Sequence, residues 1–217
     1  MIGVVKNIFF PKNELFYDLI NDMSDLLKET NGSFENYLKS SEKSNSFQFE
    51  NQIKNSLKKS KTVLQQVFDQ VSKNYVIPFD REDLYAITKN IYQLTEEIHL
   101  CVKKIELYKI NLPSAGIEII GLLIVEVIQR LIDLFSQLRQ VKKNRKAKQI
   151  VETIIEINAE LTEIEEVYYH TTDNLFNDEL DLKHFIKHRE ILNLLMAICN
   201  KGKETLLLQE SLLVKYA

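Results

Sequence analysis

The sequence predicts an all-α chain of six long helices, arranged as two side-by-side antiparallel three-helix bundles. Glycine and proline are scarce, five and three in 217 residues, too few for the turns of a sheet-rich fold. Leu, Ile, Lys, Glu, Gln and Asn dominate, and most of these favour or tolerate helix. Mostly apolar side chains also recur at helical spacing. Ile53, Leu57, Ser60, Leu64, Val67 and Val71 step by fours and threes, and so do Ile150, Ile154, Ile157, Leu161, Ile164 and Tyr168. Each series is the seam by which a long helix meets a bundle.

The three prolines mark helix starts. Pro11 precedes KNELFYDLINDMSDLL, Pro78 precedes the DRED segment, and Pro113 precedes SAGIEIIGLL. Proline lacks an N–H and presets φ, so it costs little in a first turn and much in a helix interior. The predicted helices span roughly 11–40, 48–74, 80–109, 114–140, 143–174 and 181–213. Ser40–Ser46 (SSEKSNS) reads as a polar loop, and Asn177–Asp181 separates the last two helices. Ile110–Ser114 is a midpoint break, dividing a single helical domain, 1–217, into a first half, 1–110, and a second, 111–217. Connections this short favour antiparallel neighbours, so each half should run up, down and up.

Composition bounds the function. Hydrophobic residues make up 45% of the chain, enough for a sizeable core. The formal net charge of −3 draws the chain neither to nucleic acid nor to membrane. Cys101 and Cys199 fall in no metal or redox spacing and read as small buried apolar groups, which fits a reducing compartment. The first fifteen residues show no signal-peptide pattern. The most apolar stretch, Ile117–Leu134, carries Glu118, Glu126, Arg130 and Asp133, so it is not an uncharged span of ~20 residues. A soluble, cytoplasmic protein is expected, with no membrane insertion.

The most specific stretch is Asn74–Leu84, NYVIPFDREDL. Its local reading is a capped helix start: Asp80 caps, Glu82 and Asp83 sit at the positive dipole end, and Arg81 pairs with a neighbouring acid. The same residues resemble the signature of the PhoU-like family of phosphate-transport regulators, and within it the branch associated with Pit-type transporters. Weaker landmarks extend the resemblance over nearly the whole chain. They are Phe9-Phe10-Pro11 leading into Leu15-Phe16, Glu156-Ile157-Asn158, Leu175-Phe176 and the ending Val214–Ala217. The resemblance implies two three-helix bundles, in agreement with the helix count.

It also implies metal sites, because the family carries paired acids that bind clusters of iron or zinc. Two acids at i, i+4 share a helix face and converge on one cation. Carried over with PFDRED fixing the register, the second-helix positions are Leu57 and Lys61, and those of the third are Tyr92, Gln93 and Glu96. The fifth-helix pair is Leu161 and Glu165, and the sixth-helix pair is Met196 and Asn200. Glu96 and Glu165 survive, with Glu97, Glu163 and Glu166 nearby, but leucines and a lysine stand where other ligands belong. The expectation is a degenerate motif with no metal and no other cofactor.

Two further features bear on partners. His184 and His188, at i, i+4, have the spacing of a zinc clamp but no acid between them, and Lys183 and Lys187 crowd them. They read as a solvated polar face. The run Arg139, Lys142, Lys143, Arg145, Lys146 and Lys148 is the strongest charge feature. It suits first of all a solvated basic helix end, and after that contact with anionic lipid or an acidic transporter loop. Nucleic acid is excluded by the absence of aromatic interleaving, and enzymatic phosphate chemistry by the absence of a glycine-rich loop or a nucleophile–base arrangement. The resemblance therefore implies a non-enzymatic accessory or regulatory protein. It would act by contact with a phosphate transporter or signalling partner at the membrane, through Asp80, Arg81 and Asp83 and through Arg139–Lys148. Relocated metal ligands, a purely structural role and homo-oligomerisation remain open at this point.

Overall fold

A computed structural model describes residues 12–40, 43–73, 80–112, 114–138, 147–178 and 181–216. They form six helices: α1 (Lys12–Lys39), α2 (Lys43–Lys73), α3 (Arg81–Tyr108), α4 (Ala115–Leu138), α5 (Ala147–Asp178) and α6 (Leu182–Tyr216). Among the described residues there is no strand. The three prolines lie outside the described residues, as do the Phe9-Phe10 opening and Val76–Phe79 of the signature.

The helices pack as two antiparallel three-helix bundles side by side. Helices α1, α2 and α3 contact one another, and so do α4, α5 and α6. The bundles meet through α1 against α4 and α3 against α6. Among the described residues, α2 touches only α1 and α3, and α5 touches only α4 and α6. Four helices therefore form the shared middle, and α2 and α5 lie outermost.

The predicted seams are the buried stripes. On α2, Ile53, Ser60 and Val67 are buried, with Leu57, Leu64 and Val71 half-buried beside them. On α5, Ile150, Ile154, Ile157, Leu161 and Ile164 are buried. Helix α4 is the most apolar of the six and contacts three others. Among the described residues no helix is long and apolar enough to cross a membrane.

Boundaries differ from expectation at one loop in particular. Helix α2 begins at Lys43, five residues before the predicted start, so most of the SSEKSNS segment is helical rather than loop. Ser and Asn cost only a few tenths of a kcal/mol each in a helix. Ser46 Oγ lies 2.9 Å from Ser40 Oγ, and this contact joins the start of α2 to the end of α1. Helices α5 and α6 also run on, to Asp178 and Tyr216, which carries the end of α5 two residues into the predicted separator. Asp181 remains outside as the cap of α6, its Oδ1 accepting from the Lys183 N–H at 2.8 Å.

The midpoint break is built on Lys109, which takes the left-handed conformation (φ 53, ψ 46) that ends α3. Its N–H reaches the Glu106 carbonyl at 3.0 Å, and the Ile110 N–H reaches the Ile105 carbonyl at 3.1 Å. Both bonds satisfy carbonyls that a helix end leaves open.

Close approach fixes the α1–α4 contact. A Cβ placed on Gly121 would come within 2.6 Å of Leu38 Cδ1, and Leu38 is fully buried. Nearby, Asn31 Nδ2 donates to the Val125 carbonyl at 2.9 Å. Gly121→Val should therefore overpack this contact and cost at least ~2 kcal/mol. Chemical denaturation checks this, and an unchanged midpoint would show that the helices are not that close.

Candidate functional site

The signature turn sits where α3 begins. Asp80 has non-helical angles (φ −59, ψ 131), and its Oδ1 accepts the Glu82 N–H at 3.1 Å. That is the N-cap geometry the sequence predicts. Glu82 and Asp83 follow in the first turn, near the positive end of the helix dipole. Asp83 also receives Lys215 from the far end of the chain, Nζ standing 2.9 and 2.8 Å from its two oxygens. The turn thus ties the start of α3 to the end of α6. Asp80 is exposed, and Arg81 and Asp83 are half-buried.

The opposite end of α3 is held by the same helix. Lys187 Nζ donates to the Tyr108 carbonyl at 2.7 Å, and Lys104 Nζ stands 2.9 Å from Glu190. The Tyr108 hydroxyl also donates to Glu190. These two donors hold the Glu190 carboxyl below its ordinary range, Tyr108 being the stronger influence. Between the ends lies a buried crossing. Thr205 Oγ1 lies 2.5 Å from Asn90 Oδ1 and 2.8 Å from the Lys201 carbonyl. Asn90 Nδ2 donates to Glu204 at 3.3 Å, and Lys201 Nζ reaches Glu204 at 2.5 Å and Gln93 at 3.4 Å. No short-range pattern in the sequence announces this network, whose members are more than a hundred residues apart.

The positions that resemblance assigns to metal lie on or beside the outer helices. Leu57 is half-buried and Lys61 exposed. The Tyr92 hydroxyl donates to Glu96 at 2.9 Å, and burial, followed by that carboxylate, raises the phenol's pKa. Leu161 is buried, and Glu165 receives Lys203 across the α5–α6 contact at 2.6 Å. Met196 is half-buried and Asn200 exposed. Both surviving carboxylates thus have a protein donor of their own. Among the described residues no three His, Cys, Asp or Glu side chains form a group that could hold a metal ion.

The other predicted candidates separate. His184 and His188 lie side by side, ring centres 3.8 Å apart, on a cleft of about 510 Å³ that Lys109 and Lys187 also line. His188 Nδ1 is 3.0 Å from the His184 carbonyl. Arg139, Lys142, Lys143, Arg145 and Lys146 lie outside the described residues. Lys148 is exposed, 3.8 Å from Glu152. Cys101 and Cys199 are buried free thiols, pushed up by burial to about 12 and about 11, and so are inert at neutral pH.

Between α2 and α3 the outer face carries a group that sequence reading left unremarked. His99 is half-buried there, and burial lowers its pKa; Glu50 and Glu96 oppose the shift while Lys103 and Lys54 add to it. No motif marks it in the sequence, where it is a lone histidine at helical spacing from Glu96 and Lys103.

Comparison with known proteins agrees with this architecture. No family model matches the chain, and no curated relative does. Among solved structures it is similar to a PhoU-like protein from Shewanella oneidensis MR-1, with a TM-score of 0.79 at 10% identity over 92% of this chain and 99% of that one. It is also similar to a second protein from the same organism, named as a PhoU-like phosphate regulatory protein, with a TM-score of 0.71 at 11% identity over 92% and 97%. At such identities the likeness shows the fold: this chain has the PhoU-like fold over nearly its full length.

Two outcomes follow for the site. Asp80→Ala should lose ~1 kcal/mol through the lost cap, and Asp80→Asn should lose much less; equal denaturation midpoints for wild type and Asp80→Ala would refute the capping role. His99 contributes to the pH dependence near neutrality. Its folded pKa lies below its unfolded value of about 6.5, so the unfolded chain binds more protons as pH falls through that value. Its contribution is present above pH ~6.5 and shrinks below it, down to the folded pKa. His99→Gln should flatten the fall in stability between about pH 7.5 and 5.5. An unchanged slope would place the titration elsewhere.

Proposed function

We propose that this chain is a non-enzymatic accessory or regulatory protein of phosphate uptake. It acts by contact with a transporter or signalling partner at the membrane. The observation that carries this reading is a fold shared over nearly the full length with a protein named as a PhoU-like phosphate regulatory protein, in a chain that also bears the PFDRED phrase. Binding through surfaces rather than chemistry agrees with the site. In the signature turn Asp80 caps α3 and Asp83 holds Lys215, and the polar side chains of the α3–α6 seam bond chiefly with one another. The contact residues we assign are Asp80 and Arg81, with Asp83 beside them, and the basic run Arg139–Lys146.

Metal dependence is not part of this proposal. A cation at the second-half position would have to displace Lys203 from Glu165, and Leu161 supplies no oxygen. In the first half, Lys61 replaces an anionic ligand with a like charge. Protein purified without chelator should hold iron and zinc far below one ion per chain by elemental analysis. A stoichiometric metal lost on Glu96→Gln or Glu165→Gln would instead favour a metal-binding member of the fold with relocated ligands.

The regulatory reading is tested by affinity capture from detergent-solubilised membranes of the source cells. Recovery of a phosphate transporter, or of a phosphate-responsive kinase, with loss on Arg81→Glu, is the expected result. Phosphate uptake unchanged on deletion of the gene, with no such protein captured, would reject it.

A further inference from the structure

Among the described residues, some basic side chains pair within the fold and others do not. Lys39, Lys104, Arg130, Lys201, Lys203 and Lys215 each form an ion pair within the fold. Lys54, Lys58, Lys61, Lys89 and Lys103 are exposed, and none pairs with a described carboxylate. All five are on α2 and α3; Lys28, Lys109, Lys183 and Arg189 are likewise exposed and in no ion pair with a described carboxylate, but lie singly on other parts of the fold.

On α2 they form a line. Lys54, Lys58 and Lys61 follow at i, i+4 and i+7, so they share one face of the helix. Phe47 lies seven residues before Lys54, and Phe68 seven after Lys61, on the same stripe; they are 65% and 57% exposed. At 1.5 Å per residue the stripe is about 32 Å long. Lys54 and Lys103 both act on His99, which places the α3 edge beside the stripe. Phe68 meets Tyr85 of α3 edge-on, ring centres 6.2 Å apart. Helix α2 carries six lysines against Glu50 and Asp69, a net of +4 in a chain whose total is −3. Its outward side meets no other described helix.

We propose that the outer face of α2, with the adjoining edge of α3, docks on an anionic lipid surface. The charge is complementary, and the lysines need not break an internal pair to meet headgroups. The outermost helix presents a ridge with a large apolar side chain near each end, which suits a yielding headgroup layer in which lysine heads stay wet and phenyl rings enter the interface. The face still carries Glu50 and Glu96, the latter already accepting from Tyr92, so the attraction is moderate and salt-sensitive. This goes beyond the phosphate reading and stands or falls without it.

The test is co-sedimentation of the full chain with vesicles of phosphatidylcholine and phosphatidylserine, and with vesicles of phosphatidylcholine alone. Each lysine near such a surface is worth about a five-fold gain in partitioning, so three contribute about a hundred-fold. Wild type should pellet with the anionic vesicles only, and release at about 0.5 M salt, where the screening length is a few ångströms. K54E/K58E/K61E should lose at least that hundred-fold, with helical content by circular dichroism unchanged because all three side chains are exposed. Phe47→Ser should weaken binding to the anionic vesicles at low salt. Equal binding of wild type and the triple variant would overturn the proposal. So would loss of binding on K142E/K143E alone, or capture of an acidic peptide by a protein that ignores the vesicles.

Discussion

Helix α6 grips α3 along its whole length, and the two-bundle architecture depends on that pairing. Lys215 holds Asp83 at one end, Lys187 and Glu190 hold the last turn at the other, and Thr205 meets Asn90 in between. Magnitudes separate what binds from what aligns. The exposed ion pairs are worth ~0.2–1 kcal/mol each, and a buried hydrogen bond ~1 kcal/mol. Fully burying one isoleucine or leucine contributes ~1.5–3 kcal/mol. Helices α3 and α6 bury Ile87, Ile91, Leu94, Ile98, Ile191, Leu195, Ile198 and Leu206. Apolar packing therefore supplies the strength, and the polar crossing supplies the register: a slip of α6 by one turn would part Asn90 from Thr205 and leave the Asn90 Oδ1 buried without its donor. The α1–α4 contact is specified differently, by Gly121 under Leu38 and by Asn31 reaching the Val125 carbonyl.

This division decides what is left for function. Four helices are used up by the joint between bundles, so the surfaces open to partners are chiefly those of α2 and α5 and the ends of the molecule. The positions that family resemblance gives to metal lie on those outer pairs. In their place stand Leu57 and Lys61 on one side, and Leu161 with an engaged Glu165 on the other. On α2 the outer face carries the exposed Lys54, Lys58 and Lys61.

Much of the fold was legible in the sequence because it is written locally. Ile53 to Val71 and Ile150 to Ile164 show their seams at helical spacing, and Asp80 with Glu82 and Asp83 announces a helix start. The loop at Ser40–Ser46 was misread because Ser and Asn favour caps and turns, yet cost little once a long amphipathic helix is anchored by its seam. The site was less legible. Asp83 and Lys215 are 132 residues apart, and Asn90 and Thr205 are 115 apart, so only the folded chain brings them together. The reading of Asp83 as a contact residue rested on the turn alone and had no view of Lys215. The α2 lysines form a stripe only when the helix is wound, Lys54 to Lys61 being about two turns, while the basic residues of Arg139–Lys148 are dense in the sequence itself.

The joint itself is open to direct measurement. Native-state hydrogen exchange, followed by mass spectrometry as denaturant is added below the unfolding transition, reports an opening free energy for each helix. If α6 grips α3 as described, the buried stretches of α3 and α6 will converge on one opening energy, and α1 and α4 will join them. Exchange of α1–α3 at a lower energy, while α4–α6 stays protected, would contradict it: the bundles would then be separate units resting against each other, and the polar crossing would not couple them.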